Sequence, residues 1–265
     1  MGKLTNKVAV VTGAAMGNGL GISKVLAKHG AKIALVDISD QLDSTVKKLQ
    51  AQGVDCIGVH MNVADTQSVT AGVKEIIQHF GTIDCLMNNA GIIKLGSLLN
   101  TSDEERDQQF DVNIKGVWNV TKAVLPTMIE NKKGRICNMS SVTGVMVADE
   151  GECAYATTKA AIMGFTRACA REVAKYDITV NAILPGYIQT PMADAIANES
   201  TPDDPSQTTK GIADAVPLGK RLGTIEEVGE LAAFLLSDEA SYMTATPVVI
   251  DGGSTLPETV SVGAE

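Results

Sequence analysis

At 265 residues, with 45% hydrophobic and 20% charged content, the chain is long enough to bury a core and too apolar for a disordered segment. A formal net charge of -9 and only 3% aromatic residues argue against nucleic acid and anionic membrane surfaces as partners, because phosphates are repelled and stacking platforms are scarce. No apolar run reaches the ~20 residues of a transmembrane helix, and the opening MGKLTNKVAVVTG lacks the apolar core and cleavage site of a signal peptide, so a cytoplasmic location is expected.

Residues 8–11 form the first short apolar run, and Thr12-Gly13-Ala14-Ala15-Met16-Gly17-Asn18-Gly19 follows it into a helix-period segment. A strand, a glycine loop and a helix in this order suit a dinucleotide. Glycines admit the pyrophosphate close to the backbone, and the helix N-terminus offers amides and a positive dipole end. The spacing is GxxxGxG rather than GxGxxG, and a glycine-rich turn alone is a weak signal. The second run, 33–36, ends at Asp37, 18 residues after Gly19. An acid there accepts hydrogen bonds from adenosine ribose hydroxyls and repels a 2′-phosphate, while Ala14 and Ala15 supply no cation for one. NAD(H) is therefore expected in preference to NADP(H). The bland alternative is that Asp37 merely caps the next helix.

Further strand-like runs lie at 57–59, 83–87, 136–139, 180–184 and 248–250, continuous in apolar character as strands covered on both faces should be. Amphipathic helices lie between them, one carrying Val69, Val73, Ile76, Ile77 and Phe80. Another carries Phe110, Ile114, Val117, Thr121, Val124 and Met128, and a third Ile225, Val228, Leu231, Ala232 and Leu235. The alternation predicts an α/β, Rossmann-type fold in a single domain: a doubly wound parallel seven-stranded sheet with helices on both faces. Five cysteines without a CxxC pair suggest reduced thiols, with Cys85 and Cys137 in the core. His29, His60 and His79 are scattered, so no metal is expected. Two segments break the rhythm. Residues 187–215 are polar and Pro-rich and read as a substrate lid with short helices, and the tail 254–265 has no period and reads as frayed or docked on a neighbouring subunit.

Tyr155 and Lys159 stand four residues apart in a helical stretch, on one face. A cation beside a phenol lowers its pKa from about 10 towards neutrality, and a Tyr tuned so can exchange a proton. Tyr and Lys at this spacing are nevertheless usually an ordinary helix face.

Taken in order, the glycine loop, Asn88-Asn89-Ala90-Gly91, Asn113, Ser140-Ser141 and the Tyr155–Lys159 pair resemble a short-chain dehydrogenase/reductase of about 250 residues over nearly the whole chain. The resemblance implies an NAD-dependent oxidoreductase acting on CH-OH groups. Tyr155 would be the proton donor and acceptor, and Lys159 its tuner and ribose clamp. Ser141 would orient the substrate oxygen, and Asn113 would support a relay water. It implies cofactor contacts at Gly13, Met16, Gly17, Asn18 and Gly19, at Asp37 and Ile38, and at Asn62 and Val63. The same holds for Asn89, Ala90 and Gly91, for Tyr155 and Lys159, and for Pro185, Gly186, Ile188 and Thr190. It also implies a homotetramer or homodimer built from helices 103–130 and 154–175. Met163, Phe165 and Cys169 would sit at that interface or face the sheet.

The chain departs from the family pattern at Asn18, usually Ile, at Asn62, usually Asp, and at Ala245, usually Gly. One extra residue between Ser141 and Tyr155 is expected to bulge the loop 145–153. The expected pocket wall of Ile92, Ile93, Val142, Met146, Val147, Cys153, Tyr187 and Met192 suits an apolar ketone, secondary alcohol or hydroxysteroid, unless these residues are core or lid packing. Asp149, Glu150 and Glu152 disfavour anionic substrates if they point inward. Competing readings are a non-catalytic dinucleotide-binding regulator, an NADPH-dependent carbonyl reductase, an enoyl reductase and a sugar epimerase. The intact Asn113, Ser141, Tyr155 and Lys159 set argues against the first, the four-residue Tyr–Lys spacing against the enoyl reductase, and the short substrate region against the epimerase.

Overall fold

Runs rich in Val, Ile and Leu pair in parallel through the centre of the molecule. They form β1 (Val8–Thr12), β2 (Lys32–Asp37), β3 (Cys56–His60), β4 (Cys85–Asn88), β5 (Gly134–Met139), β6 (Ile178–Pro185) and β7 (Pro247–Ile250). The computed structural model describes residues 2–201 and 203–256. The sheet order is β3-β2-β1-β4-β5-β6-β7, all parallel, so the expected seven-stranded doubly wound sheet is what forms. Ile83, expected inside the fourth strand, lies just before it. Pro247 opens the edge strand β7, where a missing N–H costs no ladder bond.

The helices are α1 (Gly17–Lys28), α2 (Leu42–Ala51), α3 (Thr66–Phe80), α4 (Asp103–Phe110), α5 (Gly116–Glu130), α6 (Cys153–Val173), α7 (Pro191–Ser200), α8 (Pro205–Ala215) and α9 (Ile225–Leu235). Side chains from α1, α2 and α9 make one apolar cluster with the sheet, and side chains from α3, α5 and α6 make another. Local chemistry sets several helix starts. Ser102 with Glu105 and Thr224 with Glu227 form capping boxes, and Asp65 accepts from the Gln67 and Ser68 amides.

Three expectations are refined. The helix expected over 103–130 is broken by a π-helical turn, Asp111–Lys115, between α4 and α5. The segment 187–215, expected to act as a lid, contains α7 and α8. Met163 and Cys169 point into the core at 4% and 8% exposure, so of the two readings offered for them the sheet-facing one holds. Phe165 is half-buried beside Trp118 at a ring separation of 5.6 Å. Cys85 and Cys137 are buried as expected. Most of the tail 254–265 lies outside the described residues, though Thr255 donates to Asp251.

A buried polar ladder ties the sheet to α5 and α6. Asn88 Nδ2 donates to Thr121 Oγ1 at 2.9 Å and to Asn138 Oδ1 at 2.8 Å, and Asn138 Nδ2 donates to Thr166 Oγ1 at 2.9 Å. On the other face, α1 and α9 cross closely because glycines meet there. A Cβ on Gly21 would lie 2.5 Å from Ile225 Cβ, and one on Gly229 would lie 2.7 Å from Val25 Cγ2. This crossing anchors the helix that the glycine loop opens. Gly21→Ala should therefore destabilise the protein by about 1 kcal/mol net, because a clash costing roughly 1–3 kcal/mol outweighs the ~1 kcal/mol gain in helix propensity. Urea unfolding checks this, and a midpoint at or above that of the parent chain would show that the crossing relaxes freely.

Candidate active site

The carboxyl ends of β1 through β6 open onto one cavity of about 460 Å³. It lies where the strand order reverses, because β1 connects outward to β2 while β4 lies on its other side. Thr12, 1% exposed, ends β1 directly before the glycine loop. Thr12 Oγ1 accepts from the Asn89 and Ala90 amides, each at 3.0 Å, and Asn89 Nδ2 donates to the Thr12 and Gly13 carbonyls at 2.9 and 3.2 Å. The sequence reading missed Thr12, although a hydroxyl ending an apolar strand was the signal.

The glycine loop has the geometry of an anion cradle. Gly13 and Gly17 have φ of 65° and 55°, and a Cβ on Gly19 would collide with the Gly13 carbonyl. Met16 provides no side-chain cap to α1, and Asn18 Oδ1 is buried without a partner among the described residues. Uncapped amides and an orphaned acceptor at a helix start fit the phosphates and polar groups of a dinucleotide. Asp37 is held by three amides: Oδ2 accepts from Ala15 at 2.9 Å, and Oδ1 from Ile38 at 2.8 Å and Ser39 at 3.0 Å. It therefore braces the loop and the turn after β2 rather than capping α2, which starts at Leu42. At the position usually Asp, Asn62 Oδ1 accepts from the Ala64 amide at 3.0 Å.

Eighteen of the expected site residues line the cavity: Gly13, Met16, Gly17, Asn18, Asp37, Ile38, Asn62, Val63, Asn89, Ala90, Gly91, Ser141, Tyr155, Lys159, Pro185, Gly186, Ile188 and Thr190. Gly19 and Asn113 stand behind it. Asn113 is fully buried in the π-helical turn, where Oδ1 accepts from the Ile92 amide at 2.9 Å and Nδ2 donates to the Ile92 carbonyl and to Thr158 Oγ1. Its side chain fixes the backbone after Gly91. Of the expected pocket wall, Ile92, Ile93, Val142, Tyr187 and Met192 line the cavity, whereas Met146, Val147 and Cys153 do not. The reason is the turn after β5. Met146 and Val147 amides bond back to the Val142 carbonyl, and both side chains face outward. Lid residues Ile196, Thr209 and Ile212 take their place. A helical period in 191–215 was the available signal for them.

The two serines have different surroundings. Ser140 is buried and donates to the Lys159 carbonyl at 2.8 Å, which docks α6 on β5. Ser141 Oγ accepts from the Thr143 amide at 3.1 Å and lies beside the Tyr155 phenol, where its hydroxyl holds the phenol pKa down. That is outweighed. Burial, with a smaller push from Glu152, raises Tyr155 to about 12, while burial lowers Lys159 to about 8. Lys159 is not among the groups that shift the phenol here. Lys159 Nζ lies 5.3 Å from the ring centroid and donates to the Met139 carbonyl at 2.9 Å, and desolvation dominates both groups.

Among the described residues no helix is long and apolar enough to cross a membrane, and no group of three or more His, Cys, Asp or Glu side chains is placed to hold a metal ion. The family model described as Enoyl-(Acyl carrier protein) reductase matches residues 13–255. The chain is 57% identical over 263 residues to the Oxidoreductase UcpA of Salmonella typhimurium, covering 99% of this chain and 100% of that protein. Among solved structures it is similar to a levodione reductase, at 34% identity and a TM-score of 0.91 over 95% of this chain and 98% of that one. It is similar also to the aldohexose dehydrogenase of Thermoplasma acidophilum, at 30% identity and a TM-score of 0.89 over 98% of each chain. The family's nicotinamide dinucleotide matches the cradle already described, and the chain belongs to the short-chain dehydrogenase/reductase family of oxidoreductases.

Proposed function

We propose that the protein interconverts a secondary alcohol and a ketone or aldehyde with NAD(H), with Tyr155 as the residue that exchanges the proton. The observation that carries this reading is the convergence of Ser141, Tyr155 and buried Lys159 on the cavity that also holds the glycine loop and Asp37. The dinucleotide, when bound, supplies or accepts hydride at its nicotinamide C4. The loop 13–19, Asp37, Ile38, Asn62, Val63, Asn89, Ala90 and Gly91 would hold its adenosine side. Lys159, Pro185, Gly186, Ile188 and Thr190 would hold its nicotinamide side. Ser141 and Tyr155 hydroxyls polarise the substrate oxygen. In reduction Tyr155 gives that oxygen a proton, and in oxidation its phenolate removes one. Asn113 acts as a positioning residue through Ile92 and Thr158. The wall of Ile92, Ile93, Val142 and Met192 supports a substrate with an apolar body. A homotetramer or homodimer agrees with the family and with Trp118, 57% exposed on α5.

Tyr155→Phe should reduce kcat/KM for ketone reduction by at least about a hundredfold while leaving NADH affinity, read by fluorescence titration, nearly unchanged. Unchanged biological activity in that variant would instead favour a dinucleotide-binding regulator, and reduction of enoyl thioesters without action on ketones would overturn the carbonyl reading. Because burial raises the phenol towards 12, its proton-donating form persists through neutral pH and its base form is scarce there. Alcohol oxidation should therefore accelerate from about pH 7 to about pH 10, while ketone reduction should not. A pH-independent oxidation rate would remove Tyr155 from the rate-limiting proton transfer.

Asp37 sets the cofactor expectation. The parent chain should bind NADH more tightly than NADPH, and Asp37→Ser should shrink that ratio by about tenfold or more, through loss of ribose contacts and of repulsion of the 2′-phosphate. Tighter NADPH binding by the parent chain would reverse the assignment.

A further inference from the structure

Tyr187 follows Gly186 just beyond β6, and the main chain around it is fixed from several sides. The Val142 amide donates to the Pro185 carbonyl at 3.1 Å, the Gly186 amide to the Ile250 carbonyl at 3.0 Å, and the Gly223 amide to the Tyr187 carbonyl at 3.0 Å. A Cβ on Gly186 would lie 2.8 Å from Asp251 Cβ, so the chain is packed closely on the segment after β7 as well. The side chain is what could still move. Rotation about its χ bonds would carry the ring away from the cavity if nothing held its far end.

The far end is held by a residue from another loop. Tyr187 Oη donates to Asp149 Oδ2 at 3.1 Å. Tyr187 lines the cavity, whereas Asp149 is exposed and does not. Asp149 therefore reaches the cavity only through the phenol. Its own loop is tied down on both sides, because the Gly144 amide donates to the Val147 carbonyl at 2.7 Å and the Gly96 amide to the Gly151 carbonyl at 2.9 Å. A phenol donating to a carboxylate makes a charge-assisted hydrogen bond, stronger than a neutral one although water weakens it at an exposed site.

The ring stands at the reacting end of the cavity. It shares the lining with Ser141, Tyr155 and Met192, and Glu152 is among the groups that raise both phenols. A carbonyl carbon held by the Ser141 and Tyr155 hydroxyls carries its two substituents on opposite sides. A fixed ring nearby leaves those substituents unequal room, and a ring free to swing does not.

We propose that Asp149 is a positioning residue that holds the Tyr187 ring as a fixed wall of the substrate site, so that the protein distinguishes the larger from the smaller substituent of a prochiral ketone and yields mainly one enantiomer of the alcohol. This rests on the carbonyl–alcohol reading above and deepens it.

The test reduces acetophenone with NADH and separates the enantiomers of 1-phenylethanol by chiral chromatography. It compares the parent chain with Asp149→Ala, Asp149→Asn, Tyr187→Phe and the Asp149→Ala, Tyr187→Phe double variant. NADH affinity is measured alongside. The parent chain should favour one enantiomer by about tenfold or more. Asp149→Ala should lower that ratio about fivefold, as the loss of one hydrogen bond implies, with NADH affinity unchanged. Asp149→Asn, which keeps an acceptor oxygen, should retain most of the ratio. Tyr187→Phe, which keeps the ring and loses the donor, should match Asp149→Ala, and the double variant should fall no further. A merely structural role would slow formation of both enantiomers and leave the ratio unchanged, which would overturn the inference. An effect of Asp149→Ala that persists beside Tyr187→Phe would overturn it too, because Asp149 would then act by another route. A near-racemic product from the parent chain would overturn it alone. Intact NADH binding without turnover of acetophenone would overturn the apolar-carbonyl reading and this inference together.

Discussion

Thr12 holds the cavity in register. Its hydroxyl receives two amides from the turn after β4, and Asn89 returns two bonds to the carbonyls of Thr12 and Gly13. Parallel strands β1 and β4 are paired as far as Val11 and Met87, and this cross-link ties together the turns that leave them for opposite sides. With it, the glycine loop from β1 and the Asn-rich turn from β4 become facing walls. Asn113 extends the same brace by holding Ile92, and Ser140 extends it by docking the first turns of α6. Elements from both halves of the sheet are thereby fixed to one another at the site where chemistry is proposed.

Burial then decides the electrostatics. Tyr155, half-buried at the cavity wall, and Lys159, buried behind it, are each pushed towards the neutral form, the phenol up and the ammonium down. Lys159 Nζ is held by the Met139 carbonyl, 5.3 Å from the phenol ring centroid. The phenol is thus a retained proton donor at neutral pH. Glu152 adds negative charge on the same face and reinforces that state.

Departures from the family pattern have local explanations. Ala245 adopts a φ of 61°, the left-handed conformation that a glycine takes without strain, and its amide still bonds to the Val180 carbonyl. Asn18 leaves Oδ1 without a partner among the described residues, beside the glycine loop. The segment between Ser141 and Tyr155, expected to be one residue longer than the family's, carries Gly144 and Gly151 at positive φ, and the Gly96 amide bonds to the Gly151 carbonyl. Met146 and Val147 in that segment are exposed, while Glu152 lines the cavity.

Strand and helix alternation, the glycine loop, Asp37 and the Tyr155–Lys159 spacing were legible in the sequence, because each is a pattern within one element or one turn. Strand boundaries followed from continuous apolar runs, since a strand covered on both faces has no polar side to present. Which residues share the cavity could not be read that way. Ile196, Thr209 and Ile212 enter it only because α7 and α8 fold over the sheet ends, and Met163 and Cys169 turn inward only because α6 packs on β5 and β6. The direction of the phenol's pKa likewise depends on segments distant in the chain that exclude water from it. Sequence by itself determined the fold class and the chemical groups, through local periodicity and spacing. Tertiary structure alone decided burial, and with it the directions in which Tyr155 and Lys159 are shifted, because desolvation is a property of everything packed around a group.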